Sequence, residues 1–185
     1  MTRVIAGSLK GRRLVTPEGL ETRPTTDRCK EALFGVIQFE LADVAFLDLF
    51  AGSGGIGIEA LSRGAKSLDL VESDPRAVSV IRQNLVSLGV MPQSSLHSMS
   101  CERAVAMFSA ARKQFDIIFM DPPYHHGWEQ KIGQMVSDAA ILKEDGLLII
   151  ESASDTDVSV EGLFLEKVKT YKTTRFSFFR NRKGE

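Results

Sequence analysis

The feature that most limits what this chain can fold into is an alternation of pattern that begins at Val44 and runs to Ser152. Short apolar runs at Val44–Phe50, Ser67–Glu72, Ser94–Met99, Phe115–Met120 and Gly146–Ser152 predict strands. Between them, segments near 54–63, 75–89, 101–113 and 129–141 carry apolar residues at helical spacing. Parallel strands need long crossovers, usually helices, so this order predicts a largely parallel sheet with helices on both faces. Two further runs, Leu163–Tyr171 and Thr173–Phe179, are joined tightly at Lys172-Thr173, which only an antiparallel pair permits. The expected architecture is α/β: a seven-stranded, mostly parallel Rossmann-like sheet with an antiparallel C-terminal strand.

Ahead of this alternation, Arg3-Val4-Ile5-Ala6, a turn through Gly7 to Gly11, and Arg12–Thr16 suit a β-hairpin, closed by Pro17-Glu18-Gly19. Arg23-Pro24-Thr25-Thr26-Asp27 leads into a helix with Leu33, Phe34, Val36, Ile37 and Leu41 on its apolar face, and Thr26 or Asp27 as N-cap. The 185 residues suit one domain, with residues 1–22 as a basic extension on a catalytic core at 23–185.

At 43% hydrophobic and 25% charged the composition is that of a soluble globular protein. The start shows no signal-peptide core and no apolar stretch is long enough to span a membrane, so the expected location is the cytoplasm. Cys29 and Cys101 match no metal or disulfide spacing and are expected to be buried thiols. Charge is polarised: residues 1–30 carry +4 and residues 163–185 carry +5, leaving −10 between them. Basic ends around an acidic middle suit a polyanionic partner if the ends meet in space, and otherwise are solvated termini.

Gly52, Gly54 and Gly57 form GxGxxG between a predicted strand and helix, and Glu72 ends the next strand. Such a turn lets a ligand approach the backbone and offers amide N–H groups at a helix N-terminus, while an acid at the second strand tip accepts ribose hydroxyls. The pattern predicts an adenosine-containing ligand, either NAD or S-adenosylmethionine. Asp48, just below the turn, favours S-adenosylmethionine, because a carboxylate there repels a pyrophosphate and can receive an ammonium.

The second chemical signal is Asp121-Pro122-Pro123-Tyr124, which ends the run Phe115–Met120. An exocyclic base amine is a poor nucleophile because its lone pair is delocalised into the ring. The Asp121 carboxylate and Pro122 carbonyl are two acceptors for its two N–H bonds, the prolines hold them stiffly, and Tyr124 can stack on an extruded base. Asp121 or water takes the excess proton, and no metal is required.

Arg23-Pro24-Thr25-Thr26-Asp27-Arg28, Asp48-Leu49-Phe50-Ala51-Gly52-Ser53-Gly54, Glu59-Ala60-Leu61-Ser62-Arg63-Gly64-Ala65 and Asp121-Pro122-Pro123-Tyr124 resemble the bacterial 16S rRNA guanine-N2 methyltransferase family (RsmD) over nearly the whole chain. The resemblance implies a class I methyltransferase fold, S-adenosylmethionine as donor, and a guanine of 16S rRNA as acceptor, within the 30S subunit or its assembly intermediate. It implies Thr25, Thr26, Asp48, Phe50, Gly52, Ser53, Gly54, Gly57, Glu72, Ser73, Cys101, Glu102 and Asp121 at the cofactor. It places Arg3, Lys10, Arg12, Arg13, Arg23 and Arg28 at the RNA. A monomer is the expected state. Two departures stand out. The family's acid after the third strand, which reaches the adenine amino group, is replaced by Ser100-Cys101-Glu102, where Glu102 or the Cys101 amide takes that contact; and a usual Tyr-Gly is Tyr171-Lys172, which is expected to loosen a tight turn and to add one more charge for rRNA.

His125 and His126 suit a lid or rim, His97 suits its strand, Trp128 suits packing, and Phe176, Phe178 and Phe179 suit the sheet core. Arg180, Arg182 and Lys183 suit either phosphate contact or solvent. The competing functions are a DNA adenine-N6 methyltransferase, disfavoured by the lack of room for a recognition domain, and an NAD-dependent oxidoreductase, which leaves Asp121–Tyr124 without a role.

Overall fold

The computed structural model describes residues 2–17, 27–123 and 127–182. A short antiparallel hairpin opens the chain: β1 (Thr2–Arg3) pairs with β2 (Arg13–Leu14). Bonds between Val4 and Arg12 and between Gly11 and Val4, both 2.9 Å, extend the ladder towards the turn. Helix α1 (Asp27–Ile37) then buries Cys29, Lys30, Leu33, Phe34 and Ile37.

The main sheet follows the predicted alternation. It comprises β3 (Ala45–Asp48), β4 (Ser67–Glu72), β5 (Ser94–Ser98), β6 (Phe115–Met120), β7 (Leu142–Ala153), β8 (Phe164–Tyr171) and β9 (Thr174–Arg180). The crossover helices are α2 (Gly55–Ser62), α3 (Pro75–Leu88), α4 (Cys101–Ala110) and α5 (Trp128–Asp138). Spatial order is β5-β4-β3-β6-β7-β9-β8, with β9 antiparallel to both of its neighbours and the other pairs parallel.

Two apolar clusters cover the two faces, and the period of two along each strand assigns side chains to them. Phe46, Ile117, Phe119, Ile149, Phe176 and Phe178 join α1, α2 and α3 on one face. Leu47, Ile118, Met120, Ile150 and Phe179 join α4 and α5 on the other. The three C-terminal phenylalanines are thus core, as expected.

From β3 the chain winds outward through β4 and β5, then returns to the other side of β3 to place β6 and β7. Strand order reverses between β3 and β6, and such a switch point opens a crevice at the carboxyl ends of the strands. Asp48 ends β3 and Asp121 directly follows β6, so both acids stand at that crevice.

The hairpin is fixed to the core by buried polar groups. Glu59 of α2, fully buried, accepts from the N–H groups of Ile5 (2.8 Å) and Ala6 (3.0 Å) and pairs with Arg63 (2.8 Å) and buried Lys30 (3.8 Å). Ser62 accepts from Ser8 and Leu9. At Gly7, φ 82°, a Cβ would lie 1.7 Å from the Ser62 carbonyl oxygen, so only glycine permits this approach. Asn84 of α3 exchanges bonds with the backbone of Val15 and also donates to the Ser53 carbonyl, linking the hairpin's end to the glycine turn.

One expectation is corrected. The turn at Lys172-Thr173 remains tight, with Tyr171 opposite Thr174 in register. Lys172 takes φ 54°, a left-handed value that glycine adopts without strain, so the chain keeps the turn at a conformational cost rather than loosening it.

Candidate active site

The carboxyl ends of β3, β4, β6 and β7 open into a cleft of about 940 Å³. Its first half is walled by Asp48–Ser53, Glu72, Ser73 and the start of α4 at Ser100–Glu102. The second half is walled by Phe119, Asp121–Pro123, Trp128, Glu151, Lys30, the hairpin's end at Thr16-Pro17, and Tyr171–Thr174.

In the first half, Glu72 is already heavily engaged. One carboxylate oxygen accepts from the N–H groups of Ser73 (2.7 Å) and Asp74 (2.9 Å), and the other from Gly52 (2.9 Å). A carboxylate has about four lone-pair sites, so roughly one remains for a ligand, rather than a full acceptor set for both ribose hydroxyls. The Gly52 amide is also taken from the ligand, as is that of Gly54, which donates to Ala51 at 2.7 Å. The glycine turn therefore shapes the wall more than it supplies donors. Gly54 caps α2 in a left-handed conformation, and Gly57 is pressed on β4, where a Cβ would meet Leu68 at 2.6 Å; neither lies on the cleft wall.

Asp48 is 1% exposed and is met by backbone N–H groups only, that of Phe50 at 3.3 Å and that of Gly57, with no cation beside it among the described residues. Burial pushes its pKa up to about 7, against that hydrogen bond, while nearby Asp121 and Glu72 add to the rise. A carboxylate so placed gains most from a cationic partner.

Cys101 and Glu102 stand together in the first turn of α4, whose N-cap Ser100 accepts from the Arg103 N–H. Cys101 is buried, its thiol pushed up to about 12 by burial and then by Glu102. Glu102 pairs with Lys131 at 3.2 Å, and Lys131 also lies 4.4 Å over the Trp128 ring, joining α4 to α5.

In the second half, Asp121 has its pKa raised first by burial and then by Glu129 in the opening turn of α5. Glu129 is 2% exposed, with one carboxylate oxygen lacking a hydrogen-bond partner. Glu151 follows Ile150, which pairs with Met120, so it sits level with Asp121 on the neighbouring strand. Lys30 on the same wall is 1% exposed; its Nζ donates to the Arg3 carbonyl, and burial lowers its pKa against the pull of Glu59 and Asp27.

Sequence reasoning missed Lys30, Glu129 and Glu151. A signal existed for two of them: Lys30 shares the apolar face of α1 with Leu33, Phe34 and Ile37, and Glu151 ends an apolar run in the manner of Asp121. Glu129 carried no signal beyond its place in a predicted helix.

The expected RNA contacts Arg3, Lys10, Arg12, Arg13 and Arg28 are all exposed. Arg3 pairs with Asp27 at 3.1 Å, and Arg12 donates to the Ser87 carbonyl at 3.0 Å, which leaves Lys10, Arg13 and Arg28 the more available charges. Arg23, Thr25, Thr26, Tyr124, His125, His126 and Lys183 lie outside the described residues. His97 bonds Asp69 at 2.8 Å beside Lys113, a structural role. Arg180 is held by Glu40 and Glu166, both at 2.7 Å, which takes it out of the set of free phosphate contacts. Among the described residues no group of acids, histidines or cysteines has the makings of a metal site, and no helix is long and apolar enough to cross a membrane.

Residues 2–180 match the family described as conserved hypothetical protein 95. The chain is 33% identical to ribosomal RNA small subunit methyltransferase D of Haemophilus influenzae, over 97% of this chain and 93% of that one. It is 35% identical to the Bacillus subtilis protein YlbH, provisionally named as an rRNA methyltransferase, over 97% and 99%. Among solved structures, the Escherichia coli protein yhhF, provisionally described as a methyltransferase, superposes with a TM-score of 0.85 at 29% identity, covering 98% of each chain.

Proposed function

Because the chain belongs to the conserved hypothetical protein 95 family, the family of the small-subunit rRNA methyltransferases D, we propose that it methylates the exocyclic N2 of a guanine in 16S rRNA, using S-adenosylmethionine. The observation that carries this reading is the half-buried Asp121 carboxylate, set ahead of two prolines at the strand-order switch point beside Asp48, where burial raises its pKa.

The cleft suits the cofactor on its own chemistry. Asp48 is a buried carboxylate whose raised pKa marks it as short of positive partners, and it would hold the methionine ammonium. The remaining acceptor site on Glu72 would take a ribose hydroxyl, with Phe50, Ser53, Ser73, Cys101 and Glu102 completing the wall. When bound, S-adenosylmethionine supplies an electrophilic methyl group.

Asp121 and the Pro122 carbonyl accept the two N–H bonds of the amine and turn its lone pair out of conjugation. Both acceptors are set before the base arrives, so little reorganisation opposes the reaction. After transfer the nitrogen carries an excess proton. The raised pKa makes Asp121 a competent receiver, from which the proton passes to water. Tyr124, next in the chain, would stack on the base, and the hairpin fastened by Glu59, Ser62 and Asn84 would hold rRNA over the mouth.

A DNA adenine-N6 enzyme would use the same pair of acceptors, so the acceptor must be tested directly. An NAD-dependent oxidoreductase is disfavoured by Asp48, whose carboxylate below the glycine turn would repel a pyrophosphate. The test is transfer of labelled methyl from S-adenosylmethionine to 30S particles, naked 16S rRNA and duplex DNA. We expect label in 30S particles; label confined to DNA, or no transfer with NAD bound instead, refutes the proposal.

A further inference from the structure

The acceptor half of the cleft has two flanks: the N-terminal hairpin on one, and on the other the turn from β8 to β9, Tyr171–Thr174. The approach to that second flank is basic. Lys167 and Lys169 of β8 oppose Phe178 and Phe176 of β9, so both lie on the sheet face that carries α1 and the hairpin. Tyr171 continues the same row to the cleft wall, and Lys172 follows at the turn.

Residues two apart along a strand are roughly 6.6 Å apart. The row therefore offers two charges one such step apart, Lys167 and Lys169, then Tyr171 at the cleft wall, with Lys172 beyond it in the turn. Lys167, Lys169 and Lys172 are exposed. The one acid of β8, Glu166, is occupied by Arg180 at 2.7 Å and approached by Arg182 at 3.8 Å, so it does not neutralise them.

Lysines on an edge strand also guard against edge-to-edge pairing, and β8 is such an edge. Guarding does not account for Lys172. That residue lies in the turn, beyond the strand, and holds φ 54° where glycine would relieve the strain. Its Nζ lies 5.9 Å over the ring of Tyr171 on the cleft wall, which keeps the charge at the rim.

Resting on the rRNA reading above, we propose that β8 and its turn form a second RNA-binding wall, along which a single strand next to the extruded nucleotide lays its phosphates on Lys167, Lys169 and Lys172. These contacts position the strand without choosing the base.

The test compares the full-length protein with Lys167→Gln plus Lys169→Gln, with Lys172→Gly, and with arginine at the same positions. The readouts are labelled transfer to 30S particles and the salt dependence of their binding. We expect the glutamine pair to raise KM for 30S particles about tenfold or more with kcat within twofold, and each lost lysine to lower the salt slope by about one. KM for S-adenosylmethionine should not change, arginine should restore binding, and Lys172→Gly should melt at a higher temperature while binding RNA less well. Unchanged KM and salt slope in the glutamine and glycine variants, whether or not they aggregate more, would overturn the proposal and leave the lysines as edge guards. A wild-type protein that labels no 30S particle would instead overturn the rRNA reading, and this wall with it.

Discussion

Two of the regions that bury acids do it differently. At the seam between α2 and the hairpin, Glu59 is fully buried yet meets two backbone amides, an arginine and a lysine. At the tips of β3 and β6, Asp48 is buried and Asp121 half-buried among other acids, and burial raises the pKa of each. A saturated buried acid holds a fold together. An under-partnered one stores unfavourable free energy that a ligand's donors can relieve, which makes the strand tips the place where binding and chemistry are expected.

That contrast breaks first at Glu59. Glu59→Ala leaves Lys30 buried without its acid and two amides without an acceptor, and should cost about 3–5 kcal/mol. Urea unfolding measures this; a loss under about 1 kcal/mol would remove the seam from the account.

At Asp121 the expected signs reverse. Asp121→Ala should lower kcat by about 10²–10³, the scale of losing one preorganised group at a reacting centre, while S-adenosylmethionine still binds and stability is unchanged or higher. Retained turnover would contradict the acceptor role, and a large stability loss would make Asp121 another Glu59.

The smallest effect is a slope. Asp48 titrates at about 7 in the fold against 3.8 in the ordinary case, and Asp121 moves in the same direction. The folded state then binds more protons than the unfolded chain between those values, so stability of the ligand-free protein falls as pH rises through that window. The loss is at most about 1.4 kcal/mol per pH unit for each group. Asp48→Asn should flatten the slope, which unfolding curves at several pH values will report; an unchanged slope would mean that Asp48 already has its counter-charge.

The same contrast explains what could be read from the sequence. β4 and β6 fall at the expected residues because apolar runs between turn signals leave little choice. Asp48, Glu72 and Asp121 were legible because each is an acid at the tip of such a run. Partnering was not legible: nothing local says that Glu72 is taken up by three amides, that Lys30 reaches Glu59, or that Glu151 stands level with Asp121. Those facts arise from register and crossovers, which bring distant residues together. Lys172 shows the converse limit, since the turn was evident but its left-handed backbone depended on the pairing of Tyr171 with Thr174.

The most direct measurement of the central claim is the identity of the product nucleoside. Wild-type protein, labelled S-adenosylmethionine and 30S particles are incubated, and the 16S rRNA is digested to nucleosides and resolved by mass spectrometry. The account predicts label in N2-methylguanosine, absent with Asp121→Ala. Label in N6-methyladenosine or in a ring-methylated pyrimidine would contradict it.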